Sequence, residues 1–248
     1  MKIVAIIQAR MNSSRLPGKV LRRLGNETVL ARIARSALRA ESLDDVVVAT
    51  STDKKDDPVI AECERNIFTS FRGSEIDVLS RFYHAAVTVE ADTIVRITAD
   101  CPLFDGLLLE TMIKRFISLN EQVPCVDYLS NTQRRTYPRG LDIEIFSMAA
   151  LKTAFEMASE GYEREHVTPF FYQLAGRFRL YSFEGEQDNS KYRWTLDTAE
   201  DWMFMETLHT TLELECGAGP WSTSAILSLL EKHPEISSIN SSVKQKTI

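Results

Sequence analysis

The sequence predicts an α/β fold: a doubly wound, mostly parallel sheet carrying a small inserted α+β lobe. Three observations predict it. Short apolar, β-branched runs recur at residues 3–8, 45–50 and 93–98, as strands buried on both faces require. Each run is followed by a segment whose apolar residues fall at helical spacing. The alternation holds through the first 120 residues at the interval of repeated βα units.

Taken in order, "KIVAIIQ" is the first strand. In "NETVLARIARSALRA" the positions Val29, Ile33 and Ala37, with Leu30, Ala34 and Leu38 beside them, form an apolar stripe and predict a helix. "DVVVAT" is the second strand. Asp57 and Pro58 read as N-cap and first residue of a helix reaching about Arg65, and "EIDVLSRFYHAAVTV" reads as the next amphipathic helix. "TIVRIT" is a further strand that runs straight into "ADCPLF", after which "DGLLLETMIKRFISL" is helical again. From about 124 to 185 the pattern loses its regularity. Short strands in "PCVDYLS", "GLDIEIFS" and "FRLYSF" surround helices over "MAALKTAFEMAS" and "YEREHVTPFFYQLA", and this stretch is the expected inserted lobe. "YRWTL" at 192–196 is expected to rejoin the main sheet, and Thr198 with Asp201 to form a capping-box-like pair opening a long helix. After a last helix near 222–233, residues 237–248 are small and polar and predict a frayed tail behind a single domain of 1–236.

Composition excludes several function classes. A chain of 248 residues, 44% apolar, buries a large core and needs no metal or disulfide to fold. Cys63, Cys101, Cys125 and Cys216 stand far apart with no C-x-x-C pair, which argues for reduced thiols and against a structural zinc site. The net charge of −6 disfavours nucleic acid and anionic membrane as partners. The opening apolar run is too short for a signal segment, and no later run approaches the ~18 apolar residues of a membrane span. A soluble, cytoplasmic protein is expected.

Against that acidic background the first 26 residues hold six basic side chains, Lys2, Arg10, Arg15, Lys19, Arg22 and Arg23, and no acidic one. The loop "QARMNSSRLPGK" lies at the carboxyl end of the first strand, where ligands of doubly wound sheets bind. It offers guanidinium, ammonium and backbone N–H donors, which together suit a small polyanion such as a triphosphate. It is not a Walker loop, because Gly18-Lys19 is followed by Val20, and no G-x-G-x-x-G is present. As an exposed loop residue, Lys19 is expected to matter for turnover and little for folding. A triphosphate calls for a divalent cation on one or two carboxylates. Asp100 and Asp197 each follow a predicted strand and are expected to meet in one crevice. Asp142 and Glu144, alternating onto one face of "GLDIEIF", form a rival pair.

"IIQARMNSSRLPGKVL", "TADCPL", "YPRGLDIEIF", "YEREHVTP" and "YRWTLDTAED", in that order, resemble the cytidylyltransferases that activate sugar acids. These are the 3-deoxy-manno-octulosonate and acylneuraminate enzymes, and the arrangement looks most like the spore-coat-polysaccharide branch. The resemblance implies a nucleotidyltransferase fold, Mg²⁺-dependent transfer of CMP from CTP, and a homodimer formed through the lobe. It implies that Arg10 and Lys19 meet the triphosphate with Ser14 and Arg15 beside them, and that Asp100 and Asp197 bind the metal. The chain has Ala99-Asp100-Cys101-Pro102 where the octulosonate enzymes have Gly-Asp-Glu-Pro, and Asp197-Thr198-Ala199 where the acylneuraminate enzymes have Asp-x-Asp. Neither classical acceptor follows.

The expected reaction is attack of a sugar or sugar-acid hydroxyl on the α-phosphorus of CTP with departure of pyrophosphate, serving surface polysaccharide or glycoconjugate synthesis. Arg10, Lys19, Asp100 and Asp197 form the expected catalytic set, and Ala9, Arg10, Ser14, Arg15, Lys19 and Thr98 the nucleotide-binding set. Arg139, Asp142, Glu144, Arg164 and His166 are candidate acceptor contacts, Arg139 because a planar guanidinium matches a carboxylate. Arg72, Asp77 and Arg81 either line the nucleotide or acceptor side or decorate a helix start. The alternative is a glycosyltransferase using a preformed nucleotide-sugar, which needs no pyrophosphate-gripping loop.

Overall fold

The structure, a computed structural model, describes residues 1–121, 123–173 and 176–245. Its centre is a seven-stranded sheet of order β5-β4-β1-β6-β8-β7-β9. β1 (Ile3–Gln8) lies between β4 (Asp45–Ser51) and β6 (Thr93–Thr98), parallel to both, and β5 (Thr69–Gly73) extends the parallel part beyond β4. Ile3, Ala5 and Ile7 face one apolar layer while Val4 and Ile6 face the other, so β1 is buried on both sides as its unbroken apolar run requires. β2 (Arg23–Leu24) and β3 (Glu27–Thr28) make a separate hairpin.

Helices cover both faces. α1 (Val29–Ala37), α2 (Asp57–Asn66) and α4 (Gly106–Asn120) bury Leu30, Ile33, Val59, Ile113 and Phe116 against one face. α3 (Val78–Thr88), α5 (Met148–Met157), α6 (Gly161–His166) and α7 (Pro169–Tyr172) pack Leu79, Phe82, Leu151 and Phe171 on the other. The helix expected across 162–175 is two helices: Pro169 cannot donate into a continuing helix, and Val167 takes φ 71° at the break. Leu174 and Ala175, at its end, lie outside the described residues. α8 (Ala199–Cys216), α9 (Thr223–Lys232) and α10 (Pro234–Ser238) form a third cluster around Trp194, Leu208 and Leu229, and the Thr198/Asp201 capping box opens α8.

Three expectations about organisation are corrected. The stretch 124–185 does not stand apart as a lobe: β7 (Tyr128–Ser130), β8 (Glu144–Ser147) and β9 (Leu180–Ser182) continue the main sheet. β8 runs antiparallel to β6, with Arg96 opposite Glu144 and Thr93 opposite Ser147. Residues 192–196 do not rejoin the sheet. They form a strap held by one bridge, Arg139 to Arg193, and by the bond from Leu196 N–H to the Asp100 carbonyl at 2.8 Å. The segment expected to be a frayed tail begins within α10, and Asn240 is buried at 2% exposure; residues 246–248 lie outside the described residues. No helix among the described residues is long and apolar enough to cross a membrane.

Candidate active site

The basic loop is a constrained structure. Leu16 (5% exposed) anchors it in the core, the Met11 N–H donates to Asp56 Oδ1 at 2.7 Å, and the Gly18 N–H donates to the Met11 carbonyl at 2.9 Å. Gly18 sits at φ 69°, in the left-handed region that glycine enters without a Cβ penalty. The chain then turns into a short 3₁₀ segment, Lys19–Leu21, which directs Lys19 inward.

Lys19 is the hub of the site. Its Nζ lies 3.0 Å from Asp100 Oδ2, 2.8 Å from Asp197 Oδ1 and 2.7 Å from the Leu196 carbonyl. Its side chain is only 11% exposed, which corrects the expectation of an exposed loop lysine. Two further cations address the other oxygen of Asp197: Arg15 Nη2 and Arg193 Nη2 each lie 3.1 Å from Oδ2. Burial alone would lower the Lys19 pKa, but the two carboxylates outweigh it and the pKa is raised. Burial would likewise raise the Asp197 pKa, and Lys19, Arg15 and Arg193 outweigh it so that the pKa is lowered. Asp100 and Asp197 are thus brought together as expected, from two distant parts of the chain.

A cleft of about 260 Å³ opens on this cluster, lined by Arg10, Ser14, Arg15, Lys19, Thr98, Asp100 and Asp197 among others. Arg10 is steadied by its Nη1 donating to the Glu75 carbonyl at 2.9 Å. Ala9 is not a cleft residue: it is 1% exposed, and its N–H ties the loop back to the Ala49 carbonyl at 3.2 Å. Arg81, fully buried on α3, donates from Nη1 to the Ser74 carbonyl; burial, then the nearby Arg10, pushes its pKa down to about 10. Arg72 is occupied by the Ser51 and Asp53 carbonyls and by Asp57. Asp77 caps α3 through the Ser80 N–H.

The acceptor candidates divide. Arg135 grips Asp142 with both nitrogens, at 2.5 and 2.9 Å. Glu144 is 5% exposed and accepts from Tyr128 Oη at 2.6 Å and from Arg96 Nη1 inside the sheet, so it faces no ligand; that expectation is corrected. The rival carboxylate pair fails with it, because Asp142 is held by Arg135 and Glu144 by Arg96. Among the described residues no cluster of three or more His, Cys, Asp or Glu could hold a metal. Arg164 is corrected as well: it joins α6 to α3 by donating to Asp77 Oδ2 at 2.8 Å, and its Nη1 donates to the Phe155 and Ala158 carbonyls at 3.2 and 3.0 Å. His166 ends α6 and does not line the cleft. Arg139 has no ion pair among the described residues and lines a separate cavity of about 460 Å³ beneath the chain's end.

Sequence reasoning missed Arg193, which holds Asp197, and Asn240, which holds Asp201, and it read Asp201 only as a capping residue, although "YRWTLDTAED" contains both Arg193 and Asp201. It also missed Gln8 and Arg96 on the α3 face of the sheet, where Arg81, which it named, joins them. Gln8 Oε1, Arg96 Nε and Arg81 Nη2 are buried polar atoms without hydrogen-bond partners among the described residues.

Residues 4–231 match the family model described as cytidylyltransferase. The chain belongs to this family. As a cytidylyltransferase it is 36% identical over 249 aligned residues to an uncharacterized protein of Methanocaldococcus jannaschii, covering 100% of this chain and 98% of that protein. It is 34% identical to the spore coat polysaccharide biosynthesis protein SpsF of Bacillus subtilis, over 94% of this chain and 95% of that one. Among solved structures, a cytidylyltransferase from Leptospira borgpetersenii superposes with a TM-score of 0.88 at 33% identity, over 100% of this chain and 99% of that one. The mostly parallel sheet expected from the sequence is therefore the cytidylyltransferase fold, and the spore-coat likeness read from the motifs is matched by SpsF.

Proposed function

We propose that this cytidylyltransferase transfers CMP from CTP to a hydroxyl of a sugar or sugar acid, releases pyrophosphate, and serves the synthesis of a surface polysaccharide or glycoconjugate. The observation that carries the reading is the convergence of Asp100 and Asp197 on one ammonium at the mouth of a basic cleft. Two carboxylate oxygens within 3.0 Å of a single cation are a donor set suited to Mg²⁺, and Asp100 and Asp197 would hold it. When bound, Mg²⁺ supplies charge neutralisation at the α-phosphate and lowers the pKa of the attacking hydroxyl.

The protein's own part is positioning. Arg10, Arg15, Ser14 and the loop amides offer donors to the triphosphate, and Lys19 exchanges its carboxylate partners for phosphate oxygens. The hydroxyl oxygen bonds to the α-phosphorus as the bond to the β-phosphate bridging oxygen breaks, and the hydroxyl proton leaves to solvent. Charge develops on the departing pyrophosphate, where the guanidinium groups stand ready. Arg139, with no ion pair among the described residues but with its side chain on the separate cavity of about 460 Å³, is kept as an acceptor contact on the match of a planar guanidinium to a carboxylate alone, and Asp142 orients Arg135.

A homodimer is proposed on the resemblance alone. The apolar side chains Tyr128, Leu129, Phe146 and Phe171 of the stretch 124–185 are fully buried in the protomer's own core. A cytoplasmic setting is likewise proposed, in keeping with four cysteines that are unpaired in the structure. The test is pyrophosphate release from each of the four NTPs across a panel of sugar acids and neutral sugars. Release from CTP with one acceptor supports the reading. Consumption of a nucleotide-sugar with no pyrophosphate release from CTP replaces it with the glycosyltransferase.

A further inference from the structure

Three cations hold Asp197, and they are not equivalent. Lys19 and Arg15 line the cleft and face the place of the triphosphate, whereas Arg193 is not a cleft residue and reaches Asp197 from behind. Four of its five guanidinium N–H groups are taken by protein side chains. Nε and Nη2 grip both oxygens of Asp201 at 2.8 and 2.9 Å, Nη2 also reaches Asp197 Oδ2 at 3.1 Å, and Nη1 donates to Gln245 Oε1 at 2.6 Å. Asp201 is fully buried and also receives the Asp197 and Thr198 N–H groups at 2.9 and 3.0 Å. Asn240 closes the network, donating to the Arg193 carbonyl at 3.0 Å and to Asp201 Oδ1 at 2.9 Å.

On the proposed reading, binding of the triphosphate draws Lys19 and Arg15 toward phosphate oxygens. We propose that Arg193 is the positioning residue that then keeps Asp197 in place, and that Asn240 and Gln245 make residues 240–245 a working part of the catalytic centre. By holding Oδ2, Arg193 leaves Oδ1 turned into the cleft. A rigid planar fork can serve Asp201 and Asp197 together; a lysine ammonium in its place cannot.

The experiment compares Arg193→Lys and Asn240→Ala with the wild type in the full chain. Mn²⁺ affinity in the presence of CTP is read by electron paramagnetic resonance, beside kcat, KM for CTP and the thermal midpoint. Leu229→Ala, which opens a cavity in the third cluster, controls for lost stability. Removal of a group that orients a metal-binding side chain typically costs ~10–100-fold in affinity or activity. Arg193→Lys is expected to weaken Mn²⁺ binding and lower kcat by roughly 10-fold or more, with KM for CTP moved less than about 3-fold. Asn240→Ala is expected to shift Mn²⁺ affinity in the same direction by about 3-fold, while Leu229→Ala lowers the midpoint and leaves Mn²⁺ affinity unchanged. Unchanged Mn²⁺ affinity in Asn240→Ala together with a lowered midpoint would make the network mere scaffold and overturn the proposal, even where Arg193→Lys fails to fold. Because Mn²⁺ and CTP binding needs no acceptor, this result stands apart from the acceptor screen that tests the reaction itself.

Discussion

Lys19 Nζ lies 2.8 Å from Asp197 Oδ1, although the two residues are 178 positions apart in the chain. The ammonium occupies the point on which the Asp100 and Asp197 carboxylates converge, so the pair carries its own internal cation. Removing Lys19 therefore does two things at once, and the earlier expectation of unchanged stability gives way. Lys19→Ala is expected to lower CTP turnover at least ~10-fold and to destabilise the apoprotein by about 3 kcal/mol, since Asp197 loses its closest cation in a mostly buried setting. Mg²⁺ added with CTP should restore much of the lost thermal midpoint. A midpoint equal to that of the wild type would show that the lysine is not structurally engaged.

Asp100→Asn and Asp197→Asn each remove one charge from the proposed Mg²⁺ site with little change of volume. Both are expected to raise the half-saturating Mg²⁺ concentration and to depress kcat roughly 100-fold. Asp142→Asn should leave the Mg²⁺ requirement unaltered, because Asp142 answers to Arg135. A Mg²⁺ defect confined to Asp142→Asn would place the metal elsewhere.

The pH dependence has two limbs. Asp197 has a lowered folded pKa, so its stabilisation is complete above the unfolded carboxylate value of ~3.9 and is lost as pH falls through the folded value. Lys19 has a raised folded pKa, so its stabilisation is complete below the unfolded value of ~10.4 and is lost as pH rises through the folded value. Between about pH 4 and 10 the network is expected to contribute constantly to stability. Urea titrations of wild type and Asp197→Asn should thus differ by a constant amount from pH 5 to 9 and converge in stronger acid. A difference that varies near neutrality would point to another titrating group.

Gly140 takes φ 110°, and a Cβ there would meet the Trp194 carbonyl carbon and oxygen at 2.4 Å. Both atoms are backbone and cannot swing aside. Gly140→Ala is expected to cost upwards of ~2 kcal/mol, about 5 °C or more in thermal midpoint, and to reduce activity by displacing the strap that carries Asp197. Retained midpoint and activity would mean the strap moves freely.

Light scattering at micromolar concentration checks the dimer, which is expected to give twice the 28.1 kDa chain mass. A stable protomer mass would remove the dimer.

The parallel half of the sheet was legible because β1, β4 and β6 are buried on both faces, which leaves an unbroken apolar signature. β5 was not: Thr69, Ser70 and the partly buried Phe71-Arg72-Gly73 form a polar edge strand whose identity comes from its pairing with β4. Asp100 and Asp197 were found by looking at strand ends, yet Asp197 follows a strap and not a sheet strand, so the rule succeeded beyond its premise. Glu144 shows the opposite failure. Period-2 alternation correctly put it on one face with Asp142, but its burial depends on Arg96 standing opposite across β6, and register between distant strands leaves no local trace in the sequence. Arg193 escaped for a related reason: a structural arginine and a ligand-facing one look alike until their partners are known.

The bond between the Leu196 N–H and the Asp100 carbonyl joins a turn made early in the chain to a strap made late. On the ribosome the parallel strands and the basic loop are made first, and Asp197, Asp201 and Asn240 come after residue 196. Until they arrive, Lys19 has one carboxylate partner instead of two and the nucleotide cleft lacks a wall. A chain cut before the strap lacks Asp197, Asp201 and Asn240 together, so the early and late parts of the sequence complete one cleft only in each other's company.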